Sequence, residues 1–523
     1  MVVLHSFVDT ATGLPEWSFE ADIVNPRTTF VVMPFFPKDL KRVVSSLRRQ
    51  GQEFGERRAL RSATTTLCLG IAGSAVLPLA YGQKRAGLVT GSGLMVVAAW
   101  MNAYTSRLLL ECSATTGARS YGELAHLVGG KRLELFTEGS LLVLLFGTLC
   151  GNLSVLGEVL YTAARMAAGD RARAGGAVGF VLDNHGQVLL LLVTVAFLLP
   201  VSMLKHMKSL EYLANAGFVI VLVLLGAVAG VCIGGDFPAL RDGEFKTAVW
   251  NPVSLAEAFS LYGFSFYLQP LMMPMLAEMP AGDAGVRLTQ TATNITIYGF
   301  ALTVYASISI FRAAAFGDAV GQNILLTDRP PFNSPGAAAL HFAVAMYVAS
   351  SYPALLLALR TSLDALVAGK DAEFSWNRNV LETLVVVATT LFIAVISFGS
   401  SEVVFNLTGA VGVMVVCYAL PVFFHLKLLT METVPPLADP ARLLTEANEP
   451  APDPDGPEGA SPRFSFKMPF SLLGRDTSDP LSSSLGQLPR GQQIRQALLP
   501  VLVLVLGAAM SLIAIVEALR GGG

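Results

Sequence analysis

The chain has 523 residues, 53% of them hydrophobic and 14% charged; an ordinary soluble domain carries roughly a quarter charged residues, so the shortfall is too large for one membrane anchor on a soluble domain. The formal net charge of −2 argues against a polyanionic partner such as nucleic acid. Five cysteines, Cys68, Cys112, Cys150, Cys232 and Cys417, are scattered through mostly apolar runs. They form no CxxC pair or spaced metal cluster, so neither a zinc nor a disulfide framework is expected, and no cofactor.

The first 30 residues lack a basic start followed by an apolar core, so no cleavable signal peptide is expected and the first spanning helix would itself direct insertion. Residues 1–61 are polar, with Pro26, Pro34 and Pro37 and a basic second half from Lys38 to Arg61. This is the composition of a disordered cytoplasmic tail. A spanning helix needs roughly 20 apolar residues. Charge-poor runs occur at 62–83, 86–106, 135–162, 187–204, 210–234, 253–278, 289–311, 336–359, 380–400, 403–425 and 496–519. In lipid only helices or closed barrels satisfy the backbone, and the short alternating strands of a barrel are not seen. The expected fold is an all-α membrane protein of eleven transmembrane helices. Residues 62–427 would form a ten-helix core. Residues 428–494, with a proline-rich run from Glu449 to Pro457 and Ser482–Ser484, would be a disordered cytoplasmic connector. Residues 495–523 would supply the eleventh helix and a short tail. The basic tail and the connector fall on one side and are assigned to the cytosol, with the carboxyl terminus outside or in a lumen. Sequons at Asn152, Asn294 and Asn406 lie in or beside helices, so glycosylation there is not expected.

Two helices are interrupted in composition. The first contains Gly70-Ile71-Ala72-Gly73-Ser74-Ala75-Val76-Leu77-Pro78. The sixth contains Tyr262-Gly263-Phe264-Ser265-Phe266, then Gln269-Pro270 and Pro274. Glycine and proline weaken a helix ladder, and freed backbone groups at membrane depth face protein, water or ligand. Either helix alone could use its small residues for packing. The two interruptions lie five helices apart, the signature of inverted five-helix repeats that hold substrate where both broken helices meet. Exposed amides would bind a carboxylate and exposed carbonyls a cation or ammonium group. Few ionisable groups fall within the helices. Glu158, Glu257 and His341 are functional candidates by virtue of that position, with snorkelling or a satisfied interface role as the alternatives. Ser350 and Ser351, before Pro353, would either ligate a cation or bond back to their own helix. Phosphate-loop, HExxH and GxSxG motifs are absent, which argues against an enzyme or an ATP-driven pump.

Several segments, in order along the chain, resemble the amino acid/auxin permease family: "GIAGSAVLPLAYGQ" (70–83), "SYGELAHLVGG" (120–130), "LLPVSMLKHMKSLEYLANAG" (198–217), "AAFGDAVGQNILL" (314–326), "SYPALLLALRTSLDAL" (351–366) and "GSSEVVFNLTGAVGVMVVCYALPVFFHLKL" (399–428). The resemblance implies a fold similar to the bacterial leucine transporter, with ten helices in a 5+5 inverted repeat plus one extra. It implies secondary transport of amino acids, usually coupled to protons and sometimes to sodium. Carried over, Ile71 and Ala72 to Ala75 would hold substrate at the unwound part of helix one. Tyr262 to Phe266 would be the unwound counterpart in helix six, with Asn152 and Ser350 lining the opposite wall. Glu158, Ser350 and Ser351 become coupling-ion candidates. Sodium-coupled relatives place an asparagine where this chain has Leu69, which favours protons. The outer-loop disulfide of animal relatives is not expected, since of the cysteines only Cys232 lies near the outer side. The expectation is a proton-coupled amino acid transporter in a plasma, vacuolar or vesicular membrane. The alternatives are a sodium-coupled carrier, an amino acid sensor that signals through its amino-terminal tail, and a membrane-embedded enzyme.

Overall fold

The structure is a computed structural model. It describes residues 5–8, 15–18, 55–68, 70–71, 76–77, 79–168, 186–203, 219–220, 222–227, 229–230, 234, 246–280, 282–317, 325, 337–367, 375–431 and 490–521. Most of the expected tail and connector, Cys232, and the site candidates Ala72 to Ala75 fall outside these residues. The chain divides into Met1–Arg58 and Ala59–Gly523. In the first unit, strands β1 (His5–Val8) and β2 (Pro15–Ser18) pair antiparallel, with His5 opposite Ser18.

The described elements of the second unit are helical. α1 spans residues 55–68, its first four in the first unit, and residues 70–71 are also helical. Then come α2 (Leu79–Ala86), α3 (Leu88–Thr116) and α4 (Tyr121–Ala168). Next are α5 (Gln187–Ser202), α6 (Pro252–Phe266) and α7 (Gln269–Glu278). The continuous stretch α8 runs from Asp283 to Phe316. It is followed by α9 (Ala337–Val367), α10 (Trp376–Ile396), α11 (Ser401–Thr430) and α12 (Arg490–Gly521). Among the described residues six helices are long and apolar enough to cross a membrane: α4, α8, α9, α10, α11 and α12. Three helices contain π stretches, at Thr194–Leu198, Ile295–Ala301 and Gly409–Ala419.

Local chemistry sets the ends. Gly117 closes α3 in the left-handed region at φ 78°, its N–H bonded to Ser113 O at 2.8 Å, the glycine C-cap geometry. Gly130, at φ 72°, divides α4 into a short leading piece and a long helix. Asn251 caps α6 by accepting from Val253 N at 3.0 Å, with Pro252 in the first turn, where its missing N–H costs nothing.

Within the bundle α4 and α11 are mostly buried, and α9 is the element most extensively packed on α4. α10 and α12 turn Leu381, Val385, Phe392, Leu498, Leu502 and Leu512 outward. Aliphatic and aromatic side chains on an outer face suit lipid, which supplies no hydrogen-bonding partner.

Of the first expected interruption only the flanks are described, Ala72 to Ala75 lying outside the described residues. Helix is present at Gly70 and Ile71 and again from Leu79, while Val76 and Leu77 between them are not α-helical. The second lies later than expected. Tyr262 to Phe266 are helical, and the break falls at Tyr267 (φ −66°, ψ 132°) and Leu268 (φ −139°, ψ −15°). Pro270 is the physical reason. It has no N–H to donate to the Phe266 carbonyl, so the ladder fails ahead of the proline, and Gly263 and Ser265 continue the helix.

Candidate functional site

The two interruptions face each other. A Cβ at Gly70 would collide with Leu271 of α7, and one at Gly82 of α2 would lie 3.0 Å from the Tyr262 ring of α6. The segment before the first gap therefore meets the segment after the second, and the reverse. Glycine at both positions permits that approach.

Each gap leaves backbone groups without helical partners, and side chains take them. The Tyr305 hydroxyl of α8 donates to Ile71 O at 2.6 Å, and the Tyr305 ring packs on Phe266 at 5.2 Å between centroids. Leu268 N donates to Gln269 Oε1 at 3.0 Å. Gln269 Nε2 then donates to Thr105 Oγ1 at 3.0 Å and Asn102 O at 3.2 Å, both on α3. Asn102 Nδ2 extends this network to the Tyr418 hydroxyl of α11 at 2.9 Å. A second connection runs from the Tyr262 hydroxyl to Gln83 Oε1 at 3.1 Å, and from Gln83 Nε2 to Leu88 O at 2.8 Å and Ser92 Oγ at 2.9 Å. Gln269 and Tyr262 are fully buried, where unmade polar bonds are costly.

Aromatic side chains and α4 close the region. Phe264 stands between Tyr267 and Phe405, 5.1 and 5.0 Å away. Thr148 Oγ1 is 3.4 Å from the Tyr267 hydroxyl. One turn further along α4, Asn152 Nδ2 donates to Ser351 Oγ at 3.3 Å.

Of the residues singled out from sequence, Ile71, Phe264 and Phe266 gather around the breaks. Asn152 and Ser351 meet at the α4–α9 contact. Tyr262 turns to α2, Gly263 backs onto the Tyr418 hydroxyl, and Ser265 Oγ bonds back to Leu261 O at 2.8 Å. Ser350 and Ser351 also donate to their own helix, at Tyr347 O (2.6 Å) and Val348 O (2.8 Å), the local alternative open to hydroxyls before a proline. Glu158 sits elsewhere, at the start of α11, where it accepts from Ser401 N at 3.1 Å and Ser401 Oγ at 2.9 Å. Glu257 pairs with Arg85 of α2. His341 is fully buried, its ring nitrogens 2.8 and 2.9 Å from the carbonyls of Ala337 and Leu325.

Gln269 entered the sequence reading only as part of the interruption, and Tyr267, Tyr305 and Glu402 were not singled out. Pro270 is the signal that would have moved attention to Tyr267 and Gln269. Tyr305 carries no local signal, being one aromatic among the apolar residues of α8. Among the described residues no group of three or more His, Cys, Asp or Glu could hold a metal, and Cys68, Cys112, Cys150 and Cys417 are buried and free.

Comparison with known proteins follows from this geometry. Residues 57–435 match the family described as "Transmembrane amino acid transporter protein". The chain is 24% identical over 389 residues to sodium-coupled neutral amino acid symporter 2 of Danio rerio, covering 70% of this chain and 74% of that one. It is 24% identical over 381 residues to solute carrier family 38 member 10 of Homo sapiens, covering 70% of this chain but 32% of that longer protein. Among solved structures it is similar to a manganese transporter of Eremococcus coleocola, at 10% identity, 88% coverage of this chain, 95% of that one, and a TM-score of 0.43. This chain, an integral membrane protein and not an enzyme, belongs to the transmembrane amino acid transporter family.

Proposed function

We propose that the protein is a proton-coupled secondary transporter of amino acids working by alternating access. The observation that supports this reading is the pair of facing interruptions, one at Val76–Leu77 and one at Tyr267–Leu268, in a chain of a family of amino acid transporters. The reading takes eleven spanning helices, ten of them in two inverted sets of five, with the amino terminus and the 428–494 connector in the cytosol. The substrate's α-carboxylate and α-amino groups would bind at Ile71 and Ala72 to Ala75 and along Tyr262 to Phe266. Asn152 and Ser350 form the opposite wall. Coupling groups are sought among Glu158, Ser350 and Ser351. The proton drives uptake only in so far as it binds outward and inward states unequally.

A second reading, sodium coupling, is favoured by the name of the zebrafish relative. Leu69, where sodium-coupled relatives have asparagine, and the back-bonded hydroxyls of Ser350 and Ser351 support the proton instead.

The test is uptake into proteoliposomes with an imposed pH gradient, an imposed sodium gradient, or neither, against a panel of amino acids. Accumulation with the pH gradient alone is expected, and a requirement for sodium refutes the coupling. Gly73→Trp is expected to abolish uptake without lowering expression. Wild-type uptake in that variant refutes the site.

A further inference from the structure

Glu402 occupies the first turn of α11 and is 7% exposed. Its Oε2 atom is buried and makes no hydrogen bond among the described residues. The adjacent Ser401 gives both its backbone N–H and its hydroxyl to Glu158 across the contact with α4.

The charged and titratable groups acting around this end of the bundle come from four elements. α4 presents Glu158, and α6 presents Glu257, held by Arg85 of α2. Tyr81 of α2 and Glu517 of α12 complete the set. The cation of the set is thus bonded to a different carboxylate. Two carboxylates in one buried region do not readily ionise together. Glu158, with two donors at a helix N-terminus, is the one suited to hold the charge. A buried oxygen with no donor is suited to an O–H group.

From this arrangement we infer that Glu402, rather than Glu158, Ser350 or Ser351, is the proton-carrying group of the transport cycle, with Glu158 as its charged neighbour. The inference rests on the proton-coupled reading above and gives it a location. The same contact supplies the coupling. Glu402 stays shielded while Ser401 remains bound to Glu158. Hydration of this end when α11 separates from α4 lets the proton leave, and loss of the proton in turn favours the separated state.

The experiment uses full-length protein in proteoliposomes with radiolabelled L-alanine. Glu402→Gln is expected to lose accumulation driven by the pH gradient while L-alanine counterflow, which needs no net proton movement, continues. Glu402→Asp is expected to recover gradient-driven accumulation. If Glu402→Gln accumulates L-alanine with the pH gradient as the wild type does, the inference falls while proton coupling stands. If the wild type itself responds only to sodium, the proposed coupling falls. A second measurement reads Glu402 without transport, because dicyclohexylcarbodiimide attacks protonated carboxyls in apolar surroundings. Peptide mass spectrometry of the wild type is expected to find the adduct on Glu402, more at acidic than at alkaline pH. A folded wild type without that adduct at acidic pH overturns the assignment.

Discussion

Replacing Gln269 by leucine tests how the second interruption is held. The side chain accepts from Leu268 N at 3.0 Å and donates to Thr105 Oγ1 and Asn102 O at 3.0 and 3.2 Å. It is fully buried, so water does not replace what is lost. Leaving the Leu268 N–H without an acceptor costs about 1–3 kcal/mol, and losing the bonds to α3 about 1 kcal/mol more. The expected total is about 2–4 kcal/mol, read as a fall of several degrees in thermal stability by size-exclusion chromatography in detergent. Thr105→Val separates the two contributions. It removes the bond to Thr105 Oγ1 while Leu268 N keeps its acceptor and Gln269 Nε2 keeps Asn102 O, and is expected to cost only about 1 kcal/mol. A double-mutant cycle should recover the Gln269–Thr105 coupling, since contacting residues deviate from additivity. If Gln269→Leu is no less stable than Thr105→Val, the side chain does not hold the break and the reasoning fails.

Tyr305→Phe keeps the ring on Phe266 but removes the donor to Ile71 O; an expected loss of about 1–3 kcal/mol in thermal stability should accompany impaired uptake, and unchanged behaviour in both would show that this carbonyl has another partner. At Gly151 an added Cβ would strike the Phe405 ring, which packs at a tilt on Phe264, which packs likewise on Tyr267. Gly151→Ala is therefore expected to cost about 1–3 kcal/mol by overpacking and to slow uptake. Phe405→Leu in the same chain is expected to recover part of both, and a simple sum of the two defects would deny the contact.

The spans were legible because membrane solvation leaves a coarse record. Twenty apolar residues are visible without a partner, and α4, α8, α9, α10, α11 and α12 lie where hydropathy predicts them. Gly70, Gly73 and Pro78 point to the first interruption, of which only Val76 and Leu77 are described, as non-α-helical. The second was drawn to include Tyr262 to Phe266 as well as Gln269-Pro270; those five residues stay helical, and the break falls just ahead of Pro270, which has no N–H to donate. That the Tyr262 hydroxyl donates to Gln83 of α2 is tertiary information the sequence does not carry. Glu402 was passed over because it lies one residue before the predicted helix, in what reads as an interfacial turn. Its burial depends on α4 lying across that turn, which is tertiary information. The same holds for the Glu158–Ser401 bonds, which span 243 positions of sequence.

The small residues of α11 also bear on how many parts can move. A Cβ at Gly409 would meet the backbone carbonyl of Ser260 in α6, and one at Gly412 would lie 2.9 Å from Leu144 of α4. Sliding between close-packed backbones requires them to separate first, because interiors at this density deform little. α6 and the middle of α11 are thus geared together, and α4 is keyed to the next turn of the same helix. Any rearrangement that admits solute from the Glu402 end has to disengage α11 at one of these two glycines or carry all three helices as one lever. The carrier then has fewer independent moving parts than helices, and Gly409 and Gly412 mark where its joints are.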